Sequence, residues 1–179
     1  RTGVQSVFPG IGGRIYPEKG WAARHITNYV YGTDGSLTFG LSGKSTDRDL
    51  SAYFGASFKD QSYVGMAAFN TYVFLFDPFD PSNTGKAQLP VGGYNNYGGR
   101  AEYLTGTSNN WQGSVEVSSA GFFNGTIFSS DGLLAYRWQP VGRFSLQYSY
   151  NRIRLPEPYA STDFWLVGPR VEASFRRDL

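Results

Sequence analysis

The sequence predicts an all-β fold: an antiparallel transmembrane β-barrel of up-and-down hairpins, with about nine strands visible and the whole expected to be a fragment of a larger barrel. Three observations lead there. The 179 residues include 23 Gly, 14 Phe, 13 Tyr and 4 Trp against a single Met, a mix that favours sheets and turns over helices. Phe144, Leu146, Tyr148 and Tyr150 alternate with Ser145, Gln147, Ser149 and Asn151, a period of two that sorts apolar from polar groups onto opposite faces of a strand. Most extended stretches reach ten residues or more, beyond the usual ~5–6 of a globular strand and near the ~9–11 of a membrane-spanning one.

In chain order, residues 1–19 are punctuated by Phe8-Pro9-Gly10 and Tyr16-Pro17 and read as a loop; residues 20–179 then form one barrel domain. Its expected strands are 21–32, 37–44, 50–58, 63–76, 94–107, 111–121, 126–139, 144–155 and 162–176. Tight turns fall at Thr33-Asp34-Gly35-Ser36, at 59–62, at 108–110 and at Pro140-Val141-Gly142-Arg143, whereas 45–49, 77–93 and 156–161 are longer. Alternating short and long connections places the short ones at one end, as in outer-membrane barrels. Nine is an odd number where single-chain barrels are normally even, which motivates the fragment reading. Asp131-Gly132 reads as a bulge inside its strand, and the stretch 63–76, apolar on both faces, as one that meets a plug, a partner or an inner loop.

The two faces supply the candidate residues. Arg100, Glu102, Glu116, Arg137, Gln147, Arg170 and Glu172 fall on the polar face, where they are expected to line a lumen and pair laterally. Tyr136, Trp138, Phe144, Leu146 and Tyr148 fall on the apolar, lipid-facing side, and Trp21, Trp111 and Trp165, with Tyr16, Tyr94 and Tyr159, near strand ends, as interfacial girdles. Beyond Tyr150 the parity reads as slipping, with Arg152 and Arg154 polar and Ile153 and Leu155 apolar, as though a bulge or outer loop takes over.

Composition narrows the function classes. A formal charge of +2 with Lys and Arg scattered singly gives no nucleic-acid footprint. The absence of cysteine removes disulfides, thiolate metal sites and cysteine nucleophiles. No apolar run approaches the ~20 residues of a transmembrane helix, so a membrane would have to be crossed by a barrel.

The segments Gly121-Phe122-Phe123-Asn124-Gly125, Leu134-Ala135-Tyr136-Arg137-Trp138-Gln139-Pro140 and Tyr148 to Pro156 resemble an uncharacterised barrel domain of Gram-negative surface proteins, the domain of unknown function 5916. Leu166-Val167-Gly168-Pro169-Arg170 and Phe175 to Leu179 are similar as well. The resemblance is best over about the last third of the chain. It implies an outer-membrane barrel in the bacterial outer membrane and brings no catalytic residues.

Three motifs bear on a possible site. His25, the sole histidine, lacks a nucleophile context such as G-x-S-x-G and reads as a lumen or interface polar group rather than a hydrolase base. Asp77-Pro78-Phe79-Asp80-Pro81-Ser82-Asn83 lacks calcium-loop spacing and reads as turns. Gly10-Ile11-Gly12-Gly13 lacks a following helix or Lys-Ser/Thr and is no phosphate loop. The functional expectation is a passive pore or a membrane-embedded component of a surface complex, with no cofactor, no metal, and membrane lipid and other outer-membrane or periplasmic proteins as partners. The alternatives are a soluble β-sandwich that binds glycans, then an outer-membrane hydrolase using His25.

Overall fold

The structure, a computed structural model, describes residues 3–173 apart from 42, 44, 139 and 140. It is all-β: β1 (Val4–Val7) and β2 (Gly10–Ile15), a short helix α1 (Gly20–His25), then β3 (Ile26–Gly40), β4 (Ser45–Phe58), β5 (Tyr63–Leu75), β6 (Gly92–Leu104), β7 (Trp111–Phe122), β8 (Gly125–Trp138), β9 (Gly142–Arg154) and β10 (Thr162–Ala173). All pairs are antiparallel, and from β3 to β9 each strand lies between its sequence neighbours in one open sheet. β1 and β2 together make one interrupted edge strand: β1 pairs with Leu37–Gly40 and β2 with Tyr29–Asp34. The other edge is β10.

Three corrections concern the first forty residues. Val4–Val7 and Gly10–Ile15 are edge strand rather than loop, Gly12 and Gly13 of the second leaving room for the Tyr53 and Tyr31 rings. Residues 33–36 do not turn; β3 runs through them. Asp34 accepts a hydrogen bond from the Ser51 hydroxyl, the Gly35 N–H donates to the Pro9 carbonyl at 2.9 Å, and the Leu50 side chain fills the space a Cβ of Gly35 would need. Residues 20–25 form α1 instead of opening a strand, and 45–49 belong to β4.

The connections 59–62, 105–110 and 139–141 share one end of the sheet, called here the turn end; 41–44, 76–91, 123–124 and 155–161 share the other, the loop end. Three of the four expected tight turns thus share one end, but the short-and-long rhythm does not hold, since at the loop end 41–44 is as short as 59–62 and the link 123–124 has only two residues. There Phe123 takes φ 55°, unusual for a bulky residue, and its ring sits against Phe122, Tyr94 and Phe79 at 4.7, 5.1 and 6.0 Å. Loop 76–91, tied by the Phe79 and Leu89 bridge, joins this cluster. Leu89, Ile153, Leu155 and Ala160 are buried at the same end.

Pairing on both sides of β8 is regular through Asp131 and Gly132, so there is no bulge. Nor does the parity of β9 slip: Arg152 pairs with Phe128 and Arg154 with Thr126 in unbroken register. The change beyond Tyr150 is one of chemistry, with arginines replacing apolar groups on one face while Ile153 turns inward and is buried. Phe175, Arg176 and the residues after them, with Gln139, Pro140 and Lys44, lie outside the described residues.

Candidate functional site

Cross-strand partners point to the same side of a sheet, so the register assigns faces directly. One row runs Gly65, Glu102, Glu116, Asp131, Ser149 across β5 to β9. Others run Ala67, Arg100, Ser118, Ser129, Asn151, then Leu133 to Gln147, Ala135 to Ser145 to Arg170, and Arg137 to Arg143 to Glu172. All seven residues expected to line a lumen therefore share one face. Sequence reasoning missed Asp131 and Arg143 on it, although both carry the parity of neighbours already assigned.

The expected lateral salt-bridge ladder is not formed. Glu102 stands opposite Glu116, which stands opposite Asp131, and Arg137 stands opposite Arg143. The register places like charges side by side. On this face the only ion pair among the described residues runs along β10, Arg170 to Glu172 at 2.8 Å. Hydroxyls and amides share this face, Ser129 donating to Asn151 Oδ1 at 2.7 Å, with Leu133 and, on β10, Leu166 and Phe164. Near Arg100 and Asp34 two adjoining hollows of about 210 and 460 Å³ open, walled by Tyr53, Tyr63, Glu102 and by Asp49, Ser51, Phe69.

The opposite face carries Trp111, Tyr136, Phe144 and Val171 in one row, Leu134 with Leu146 in the next, and Gly132 with Tyr148 further on. Trp111 and Tyr136 rings lie 4.7 Å apart, with Trp138 6.4 Å beyond, all at the turn end. Trp165 shares this face at the loop end, stacked on Tyr150 at 4.2 Å. Two girdle expectations need correction. Tyr94 points to the polar face, where its hydroxyl donates to the Pro90 carbonyl at 2.8 Å, because the loop-end aromatics gather inward. Trp21 lies on α1, 4.9 Å from His25, not on a strand. Tyr159 sits in the loop after β9 and Tyr16 before α1.

On β7 exposure is inverted relative to a water-soluble sheet, whereas Asp131 and Gln147 on the polar face of β8 and β9 are themselves exposed. Along β7 the apolar Trp111, Val115 and Val117 are exposed, while the polar Gln112, Ser114, Glu116 and Ser118 are half-buried. The apolar face also has a slanted upper limit. It ends at Leu50, before Arg48, in β4 and at Tyr150, before Arg152, in β9; yet the row of Tyr150 reaches β4 at Phe54, four residues lower.

His25 ends α1, and its carbonyl accepts from the Lys59 N–H at 2.9 Å; among the described residues its ring has no hydrogen bond to a Ser, Asn or Asp. In loop 76–91, Asp80 accepts from the Ser82 hydroxyl at 2.6 Å and from the N–H groups of Ser82, Thr84 and Gly85 at 2.9 Å each. Its oxygens are occupied by its own turn. The Ser82 hydroxyl first, with those backbone N–H groups, holds the Asp80 carboxyl below the usual carboxylate range.

No protein-family model matches the chain, and neither curated proteins nor solved structures give a match.

Proposed function

We propose that this chain is part of a bacterial outer-membrane β-barrel, serving as a passive pore or as the membrane-embedded component of a surface complex. The observation that carries this reading is the exposure of one face: large apolar side chains such as Trp111, Leu134, Phe144 and Leu146 stand exposed there, while Glu102, Glu116 and Arg137 of the other face are half-buried and Arg100, Asp131 and Gln147 are open. In water such a sheet would leave an apolar patch far beyond the few hundred Å² that soluble monomers tolerate. A hydrocarbon solvent removes that cost, and an antiparallel sheet satisfies its own backbone within it.

The slanted limit supports the same reading. Four residues at ~3.3 Å over five strand spacings of ~4.8 Å correspond to a strand tilt of about 30°, near the 35–45° of closed barrels. At that tilt the apolar run 50–58 of β4 is about 25 Å tall, the height of an outer-membrane apolar band. A soluble glycan-binding sandwich would need a second sheet over the apolar rows, and the described residues form one sheet. The free edges β1/β2 and β10 are where further strands would complete the cylinder. The resemblance to the domain of unknown function 5916 points to the same class.

Lumen selectivity would then follow from the charged rows and the hollow's width rather than from covalent chemistry. Planar-bilayer recording of the full-length protein tests the pore version. Discrete conductance steps are expected. Silence from verified inserted protein would leave only the structural-component version, and failure to partition into detergent or lipid would overturn the membrane reading.

A further inference from the structure

On the outward face at the loop end, β7 to β9 bring together Ser119, Thr126, Phe128, Tyr150, Arg152 and Arg154 around a hollow of about 450 Å³. The register makes them neighbours: Ser119, Phe128, Arg152 and Asp163 form one row, Thr126 and Arg154 the next. Arg154 is committed. Its guanidinium donates to Asp163 at 2.8 Å and to the carbonyls of Ile153 and Thr162 at 2.9 and 3.3 Å. Asp163 also accepts from the Tyr150 hydroxyl at 3.1 Å. Arg152 lies close enough to share in the field at Asp163, but among the described residues its side chain, like the hydroxyls of Ser119 and Thr126, has no hydrogen-bond partner. Two arginines against one carboxylate leave a net positive charge.

Immediately toward the turn end the surface is aromatic, then smooth. Phe128 and Tyr150 rings are 6.3 Å apart and Tyr150 stacks on Trp165, tied in place through its hydroxyl. Beyond them Val117, Val115 and Gly113 of β7 make a low furrow between the taller Tyr103 of β6 and the ring of Tyr148, which leans over Gly132 of β8 and meets the Ser130 hydroxyl at 3.1 Å. The order from loop end to turn end is therefore cation and hydroxyls, aromatic shelf, apolar furrow.

We propose that this is a binding site for a membrane lipid with an anionic, phosphate-bearing headgroup. The phosphate is held by Arg152, whose planar fork suits phosphate oxygens, with the Ser119 and Thr126 hydroxyls donating, and one acyl chain lies along the β7 furrow, against the Tyr148 ring. Charge complementarity selects the headgroup, and the polarity order fixes its orientation in the leaflet. The Arg154 and Asp163 pair keeps the carboxylate from neutralising Arg152. This rests on the membrane reading above, since only then does the limit of the apolar face coincide with the headgroup layer.

Trp165, stacked beside the site, supplies the test. The full-length protein is reconstituted in phosphatidylcholine vesicles carrying a minor share of either brominated phosphatidylglycerol or brominated phosphatidylcholine, and the Trp165 component is taken as wild type minus Trp165→Phe. Quenching of that component by the anionic lipid is expected to exceed quenching by the zwitterionic one at least two-fold. The excess should disappear in Arg152→Gln, persist in part in Arg152→Lys, and shrink with salt, effects readable in a protein that retains Trp165. Equal quenching by both lipids in the wild type would overturn the site while leaving the membrane reading intact. No quenching by either lipid would overturn both.

Discussion

Glu102 and Glu116 face each other directly across β6 and β7, and Asp131 faces Glu116 from β8, so three carboxylates stand in one row on the polar side. Like charges directly opposite one another destabilise a sheet by about 0.2–1 kcal/mol per pair. Glu116→Gln, which relieves both contacts at once, should stabilise the fold by about 0.4–2 kcal/mol, read as a higher denaturant midpoint, and the gain should shrink as salt screens the row. A loss of stability would contradict this and mean that Glu116 is favourably paired, with Arg100, opposite Ser118, as the cation on its diagonal.

The outward rows allow a sharper contrast. Leu134 is 51% exposed, so in a water-soluble sheet Leu134→Arg would change stability by no more than about 0.5 kcal/mol. Facing lipid near mid-band it should cost about 2–4 kcal/mol. Gln147→Arg, one strand over and on the opposite face, should cost far less in the same reconstituted folding assay.

Loop 76–91 should be sensitive to acid through Asp80. Its carboxyl titrates below the ordinary range in the folded chain because Ser82, Gly85 and Thr84 donate to the ionised form. A depressed carboxyl favours folding above its unfolded value of ~3.9, and that contribution is lost as pH falls through the lower folded value. Pepsin cleavage within 76–91 should therefore accelerate as pH drops below about 4. Asp80→Asn should show the open loop already at neutral pH, with a neutral protease.

The register of the second half was legible because it is local. Alternation in 144–151 assigns one face, each tight turn reverses the chain once, and parity then carries the assignment strand by strand to Arg100, Glu116 and Arg170. What stayed hidden depends on partners distant in sequence. Asp34-Gly35 reads as a hairpin turn in isolation; only Leu50, Ser51 and Pro9 from neighbouring strands make it a strand interior. Gly12 and Gly13 read as loop until Tyr53 and Tyr31 are seen to need their space. The six residues of α1 are too few for a helical period to register. Charge pairing failed for the same reason: sequence gives the face of Glu102 and Glu116, and only the register shows that they oppose each other.

The central claim is that the two faces of this sheet meet different solvents. Its described residues contain no cysteine, and neither does the rest of the chain, so single cysteines can be placed one at a time from Phe144 to Asn151 and spin-labelled in reconstituted bilayers. Labels at Phe144, Leu146 and Tyr148 should be relaxed by oxygen and protected from aqueous nickel chelate, with the reverse at Ser145, Gln147 and Ser149, a period of two along β9. Equal access of the chelate to both sets would contradict the account.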